Sequence, residues 1–174
     1  KNNKILNKEM IQRKSFRQFL FLVIIIPGVF LLNDNFTICI HAGAIDDNHT
    51  DFPMERELAF KRGLRKALKA GYDILKKGGK NIDAIQKALN SMEDNSTFNS
   101  GKGAKVNEKF ECELDSSIMD GETLKCGAVA GLQHVKNPIN VSRKMMEKSK
   151  HILLVGRAAE EFAQANGETL VPNK

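Results

Sequence analysis

Apolar residues recur along this chain at two different spacings, and the switches between them lay out a layered α+β body. Phe36-Thr37-Ile38-Cys39-Ile40 is β-branched and apolar, which predicts a short buried strand ending at His41-Ala42-Gly43-Ala44. Asp46 to Pro53 is polar and reads as a loop. From Met54 to Lys77 the apolar positions Phe60, Leu64, Leu68, Gly71 and Leu75 keep a helical spacing that Gly78-Gly79 closes. A second helix, capped by Asn81, carries Ile82, Ile85, Leu89 and Met92 on one face. Together these helices predict an αα-hairpin whose apolar stripe lies on a sheet.

The period then changes. Asn95 to Lys105 is a Gly/Ser/Asn loop, followed by a predicted hairpin with Val106 to Glu108 in one arm and Glu111 to Met119 in the other. Asp120-Gly121 turns the chain into a small-residue strand, Lys125 to Val135, whose short side chains permit close packing of layers. Asn137 followed by Pro138 predicts an N-cap and a first helical residue, with the helix running to about Lys148. His151 to Val155 reads as a further buried strand, and Arg157 to Asn166 as a short helix stopped by Gly167. The body shows no internal repeat.

Composition narrows the class. The chain has 174 residues, 41% hydrophobic and 28% charged, which suits one domain with a core and excludes collagen-like and wholly disordered chains. The net charge of +6 suggests an anionic partner until the charges are located. Residues 1–32 hold six basic groups and one acid, whereas 21 basic residues face 20 acidic ones from Asn33 onward. A near-neutral body with ten Phe, one Tyr and no Trp predicts no nucleic-acid partner. The three cysteines, Cys39, Cys112 and Cys126, contain no C-x-x-C pair and read as small buried thiols.

Residues 1–35 form a basic and hydrophobic leader ahead of a domain at 36–174. After Arg13, Lys14 and Arg17 comes FLFLVIIIPGVFLL, fourteen residues without a charge, shorter than the about 20 that span a bilayer. Three readings stay open: an export signal, a shortened membrane anchor, and upstream sequence foreign to the folded protein. The first two imply a secreted, periplasmic or membrane-associated domain, and the third a cytoplasmic one. N-x-[ST] sequons at Asn35, Asn48, Asn95 and Asn140 become relevant only on an export route in a eukaryote.

General tests for chemistry mostly fail. The segment Phe98 to Lys105 resembles a phosphate loop but lacks the G-x-x-x-x-G-K-[ST] spacing. Asp115 and Asp120 flank a turn without the alternating oxygen ligands of a calcium loop. Cys39 and His41 share a strand face by period-2 geometry, which leaves open a Cys-His nucleophile or a plain strand cysteine beside a backbone-satisfied histidine. His49, His134 and His151 lack ligand spacing, and no nucleophile elbow is found.

An ordered series of motifs carries more. Phe98-Asn99-Ser100-Gly101-Lys102-Gly103, then Ile118-Met119-Asp120-Gly121, Gly127-Ala128-Val129-Ala130-Gly131, Val135-Lys136-Asn137-Pro138-Ile139, Leu153-Leu154-Val155-Gly156 and Glu160-Glu161-Phe162-Ala163 resemble the α-subunit half of the plant-type L-asparaginase/isoaspartyl peptidase family. The resemblance covers about Phe36 to Pro172. It implies an αββα N-terminal nucleophile hydrolase sandwich, here incomplete, that hydrolyses L-asparagine and β-aspartyl peptides after self-cleavage. The nucleophile would be a threonine opening the β subunit in a Thr-Val-Gly sequence, which does not occur in these 174 residues. The implied partner is that β-subunit half, with an (αβ)2 assembly when complete and no required cofactor.

The resemblance also assigns residues. Asn99 matches an asparagine lying beside the nucleophile, and a loop-stabilising role can coexist with that one. Met92, Glu93, Asn95, Phe98, Ser100 and Lys102 match a loop whose backbone carbonyls bind sodium. His41, Ala42 and Gly43 match the start of a His-Gly-Gly-Ala-Gly loop near the active centre, with Ala42 and Ile45 replacing glycines, which predicts backbone strain there. Two rival readings remain: a glycosylasparaginase-type lysosomal or secreted amidase, and a non-catalytic α-like fragment acting as a binding or regulatory protein.

Overall fold

The structure, a computed structural model, describes residues 36–42 and 53–173. Helix α1 spans Met54–Lys76, with Glu55 and Glu57 in its first turn and Lys76 in its last, the order that complements the helix dipole. Gly78, at φ 76°, turns the chain out of it. Gly63, Leu64, Ala67 and Gly71 form the buried face of α1. A Cβ on Gly71 would lie 2.5 Å from the Ile38 side chain and 2.9 Å from the Ala84 carbonyl, so this glycine sets how closely the helix approaches both neighbours.

Helix α2 spans Asn81–Glu93, and its N-cap is Lys80 rather than Asn81. Its buried face is Ala84, Ala88 and Met92, while Ile85 is exposed. The predicted Ile82-Ile85-Leu89 stripe is rotated because the close approach at Gly71 admits only alanines between the helices. The stripe of the hairpin also does not lie on the sheet. Leu64, Ala67, Met92 and Phe98 cluster beneath it, joined by Ile40, Ala42, Phe60 and Leu89.

The segment 36–42 therefore belongs to the helical layer. Phe36, Ile38, Ile40 and Ala42 are half-buried and Thr37, Cys39 and His41 exposed, so the period-2 alternation is present, yet no strand forms here among the described residues. Phe36 packs on the ring of Tyr72 at 5.4 Å instead of lying in a ladder. Cys39 is exposed and Cys112 and Cys126 are half-buried, which departs from the three buried thiols expected. The loop at 46–52 lies outside the described residues.

The sheet has three strands in the order β1-β2-β3: β1 (Leu114–Met119) antiparallel to β2 (Cys126–Leu132), and β2 parallel to β3 (Leu153–Val155). The predicted first hairpin is reduced to one bridge, Val106 to Cys112, around a turn in which Phe110 takes φ 59°. Asn107 Oδ1 accepts the N–H groups of Lys109 at 2.8 Å and Glu111 at 3.1 Å, so a side chain closes the turn that a longer ladder would have closed.

Helix α3 (Pro138–Lys148) and helix α4 (Arg157–Ala165) cover one face of the sheet. Leu114, Val129, Leu132, Val135, Val141, Met145, Ala159 and Ala163 fill the space between, and Leu154 packs against them. Each of the larger aliphatic members contributes about 1.5–3 kcal/mol by leaving water. The other face is open. Ser117, Ala128 and Leu153 stand in register across it, and Met119, Leu153 and Val155 are exposed. That exposure corrects the expectation of a buried strand at 151–155: the strand is covered on the side of Leu154 alone.

Glu160 joins α4 to the end of β2. Its Oε1 accepts the N–H groups of Gln133 at 2.7 Å and His134 at 2.8 Å, and the carboxylate holds the His134 ring, which lowers the Glu160 pKa against the opposing cost of burial. The terminal strap runs back alongside: Val135 bridges Leu170, and the Asn173 side chain both accepts from and donates to the backbone of Cys112.

The closest approach of the layers is at Gly127, where a Cβ would lie 2.3 Å from both the Met146 nitrogen and the Ser142 carbonyl oxygen of α3. Both obstacles are backbone, so no rotamer change relieves them. Urea unfolding of Gly127→Ala should show a loss of about 3 kcal/mol or more; an unchanged midpoint would mean that α3 can lift off the sheet.

Candidate functional site

The loop leaving α2 is wound almost entirely by its own backbone. The N–H of Asn95 donates to Met92 O at 3.0 Å, that of Phe98 to Asn95 O at 3.2 Å, and that of Ser100 to Phe98 O at 2.8 Å. A 3-10 turn at Gly101–Gly103 follows. Asn95 Oδ1 accepts the Thr97 N–H at 3.0 Å, a side-chain turn of the kind short Asn residues favour. Phe98 plugs the loop into the helical layer, with its ring edge-on to Phe60 at 5.4 Å and a Cβ on Gly63 excluded by the ring at 2.7 Å.

Asn99 sits on this frame with its side chain outward. Its Oδ1 accepts the Lys105 N–H at 2.8 Å, clamping the two ends of the glycine turn, which leaves the Nδ2 hydrogens as donors. Ala42, next to His41, packs against the cluster containing Met92 and Phe98, so the segment 41–42 and the loop 92–103 share one wall. Gly43 lies outside the described residues. The expected strain at Ala42 is absent: the described non-glycine residues in the left-handed region are Phe110 and Leu124.

Carbonyl oxygens crowd the two loop glycines. A Cβ on Gly101, at φ 53°, would lie 2.5 Å from Glu93 O, and one on Gly103 would lie 2.2 Å from Phe98 O and 2.6 Å from Ser96 O. The carbonyls of Glu93, Ser96 and Phe98 thus pack directly against the two glycines, where no side chain can stand. Among the described residues no group of three or more His, Cys, Asp or Glu side chains could hold a metal ion, so any ion here would be held by carbonyls.

The Glu93 side chain was not singled out by sequence. It is 5% exposed, its Oε1 accepts the Ile139 N–H at 3.0 Å, and its Oε2 accepts from Asn137 Nδ2 at 3.1 Å. Asn137 occupies the N-cap of α3 but makes no side-chain cap bond. The helix is capped instead from α2, by a carboxylate 46 residues earlier in the chain. Burial pushes the Glu93 carboxyl up to about 7, against the lowering effect of Ile139 and Asn137, and neighbouring Asp94 adds to the rise. Asp94 is held below its usual range, chiefly by Lys136 Nζ at 2.9 Å. The only sequence signal was an acid adjoining the buried Met92 at a helix C-terminus, where the dipole disfavours it.

Two of the sequons are engaged in packing. Asn140 Oδ1 accepts from Gln86 Nε2 at 2.7 Å with Ser142 fully buried, and the Asn95 amide abuts Gly63. Asn35 and Asn48 lie outside the described residues.

Helices α3 and α4 on one sheet face, an open face opposite, and a backbone-wound loop presenting an exposed asparagine define a partial α+β layered domain. A family profile described as Asparaginase matches residues 34–174. The chain is 39% identical over 137 residues to the isoaspartyl peptidase/L-asparaginase of Danio rerio, covering 79% of this chain and 43% of that protein. It is 45% identical over 130 residues to the plant-type L-asparaginase of Pyrococcus abyssi, covering 75% and 41%. With the Bos taurus isoaspartyl peptidase/L-asparaginase it shares 36% identity over 140 residues, covering 80% and 44%. The chain belongs to this asparaginase family, and it spans about two fifths of the length of these relatives.

The Glu93 carboxyl provides a direct test of the loop-to-helix link. Its native pKa is raised to about 7 from 4.5, so the native state holds a proton that the unfolded chain has released. The contribution to stability is full below about pH 4.5 and is lost as pH rises through about 7. Urea unfolding between about pH 5 and pH 8 should show a fall of up to about 3 kcal/mol from this group. Glu93→Gln retains an acceptor for Ile139 and should flatten the profile by that amount; an unchanged profile would place the titration elsewhere.

Proposed function

We propose that this chain is the α-side of a threonine-dependent amidohydrolase acting on L-asparagine and β-aspartyl peptides, its nucleophile supplied by polypeptide beyond Lys174. The observation that carries the reading is the match of 36–45% identity to proteins named isoaspartyl peptidase/L-asparaginase and plant-type L-asparaginase, extending through the loop that presents Asn99. In this reading Asn99, pinned through Oδ1 to Lys105, uses its Nδ2 to orient the threonine or its amine. The threonine amine takes the proton from the threonine hydroxyl, the oxygen attacks the amide carbonyl, and the C–N bond breaks as that proton passes to the departing ammonia or peptide amine; water then hydrolyses the acyl-enzyme and releases aspartate.

The second half of the αββα sandwich would be the β subunit, laid on the open sheet face. Met119, Leu153 and Val155 form an exposed apolar row around Ala128 and Ala130, a surface that water disfavours and a second sheet would cover. This need for cover also argues against a free-standing binding module. An (αβ)2 assembly is part of the same proposal.

The loop fits a sodium ion. Carbonyls of Met92, Glu93, Asn95, Phe98, Ser100 and Lys102 would hold it, a reading supported by the tight backbone winding of the loop and by Glu93 O and Phe98 O lying against Gly101 and Gly103. A bound cation would relieve repulsion among these oxygens and stiffen the frame of Asn99. Exchanging sodium for an organic cation should lower the thermal midpoint of the complete protein by a few degrees, whereas an unchanged midpoint would remove the ion from the proposal.

The activity itself is tested with the protein in its complete length. It should release aspartate from L-asparagine and from β-aspartyl dipeptides, and Asn99→Ala should lower kcat by about 10- to 100-fold through lost positioning. Hydrolysis of glycosyl-asparagine alone would favour the glycosylasparaginase reading, and no hydrolysis of any of the three would favour the non-catalytic one.

A further inference from the structure

The near-neutral charge of the body conceals a strong separation. Between 54 and 80 nine basic residues accompany three acidic ones, while 81–174 holds twelve basic and thirteen acidic residues. The excess lies on α1. Arg62, Arg65 and Lys66 are all exposed, lie on the side of the helix away from its buried Gly63-Ala67-Gly71 face, and make no ion pair within the described residues, though the charge of Lys66 also acts on Asp94 at the end of α2. Lys69 continues the ridge, engaged in an exposed pair with Asp73 at 2.7 Å, and Lys76 in the last turn and Lys77 at the C-cap extend it. That pair adds no net charge to the ridge, so the excess rests on Arg62, Arg65, Lys66, Lys76 and Lys77.

Two further observations select the partner. Met54 and Leu58, 76% and 48% exposed, stand on the same outer face at the start of the helix. Single-stranded nucleic acid would want aromatic platforms, but Phe60 turns inward to Phe98 and Tyr72 to Phe36. A straight basic ridge ending in two apolar side chains suits a flat anionic surface, where cations meet headgroups and the apolar pair enters the interface. We infer that the outer face of α1 is a docking surface for anionic phospholipid membranes, engaged through Arg62, Arg65 and Lys66 with Met54 and Leu58 as the inserting residues. This attachment is peripheral: no helix among the described residues is long and apolar enough to cross a membrane.

The chain contains no tryptophan, so Leu58→Trp places a sole indole on the ridge of the full chain. Its emission should shift to the blue with vesicles of phosphatidylcholine and phosphatidylglycerol in equal amounts, stay unchanged with phosphatidylcholine alone, and revert in high salt. Phe110→Trp, on an exposed turn outside this helix, should not shift. Adding Arg62→Gln, Arg65→Gln and Lys66→Gln to the Leu58→Trp chain should weaken vesicle binding by about 100-fold. Replacing both arginines by lysine should preserve binding and exclude a folding defect. Co-sedimentation of the Leu58→Trp chain without a change in its emission would assign attachment to the leader and overturn the inference. So would a shift that survives the triple substitution, an equal shift in the Phe110→Trp chain, or a larger response to polyuridylate at matched phosphate, the last pointing to nucleic acid.

Discussion

The buried carboxylate of Glu93 is the bond on which the arrangement of layers turns. It ends α2, begins the loop of Asn99, and accepts the Ile139 N–H of α3, so it is the buried tie between the helical hairpin and the helix that lies on the sheet, beside the links of Arg143 to Asp83 and Gln86 and of Gln86 to Asn140. A buried donor at a helix N-terminus without an acceptor costs about 1–3 kcal/mol. Here that need is met by a residue whose own backbone carbonyl faces Gly101, so the cap and the loop geometry are not independent. The high carboxyl pKa is the counterpart of this placement: the loss of water around the charge outweighs the bonds from Ile139 and Asn137.

Residues that reveal themselves by one-sided burial were legible in the sequence. The helices at 54–76, 138–148 and 157–165, the strand pair around Asp120-Gly121 and the glycine stop at Gly167 follow from local periodicity and turn chemistry. Periodicity reports which side of a segment is covered, however, and not what covers it. Phe36 to Ala42 alternates as a strand would, yet its inward residues meet helix α1. The inner face of α2 was misread for a related reason, because the spacing of the helices is set by Gly71, and isoleucines cannot occupy a gap that alanines fill.

The site was legible only in outline. Asn99 is visible through the motif series, but its clamp to Lys105 depends on how the glycine turn folds back. Glu93 resembles any solvated acid at a helix end, and its partner lies on another element. Net charge misled in the same manner: a near-zero sum for the body reflects an acidic-leaning remainder offsetting a basic helix, and only the three-dimensional placement separates the two.

Gly127 gives the layers a mechanical character. Where β2 meets α3 the contact is backbone on backbone, with no deformable side chain between. A Cβ at this position would meet the Met146 nitrogen and the Ser142 carbonyl, neither of which can move aside by changing rotamer. The height of α3 above the sheet is therefore fixed at this one point by the covalent backbone itself, while Val141 and Met145 nearby meet Val129 and Leu132 through side chains.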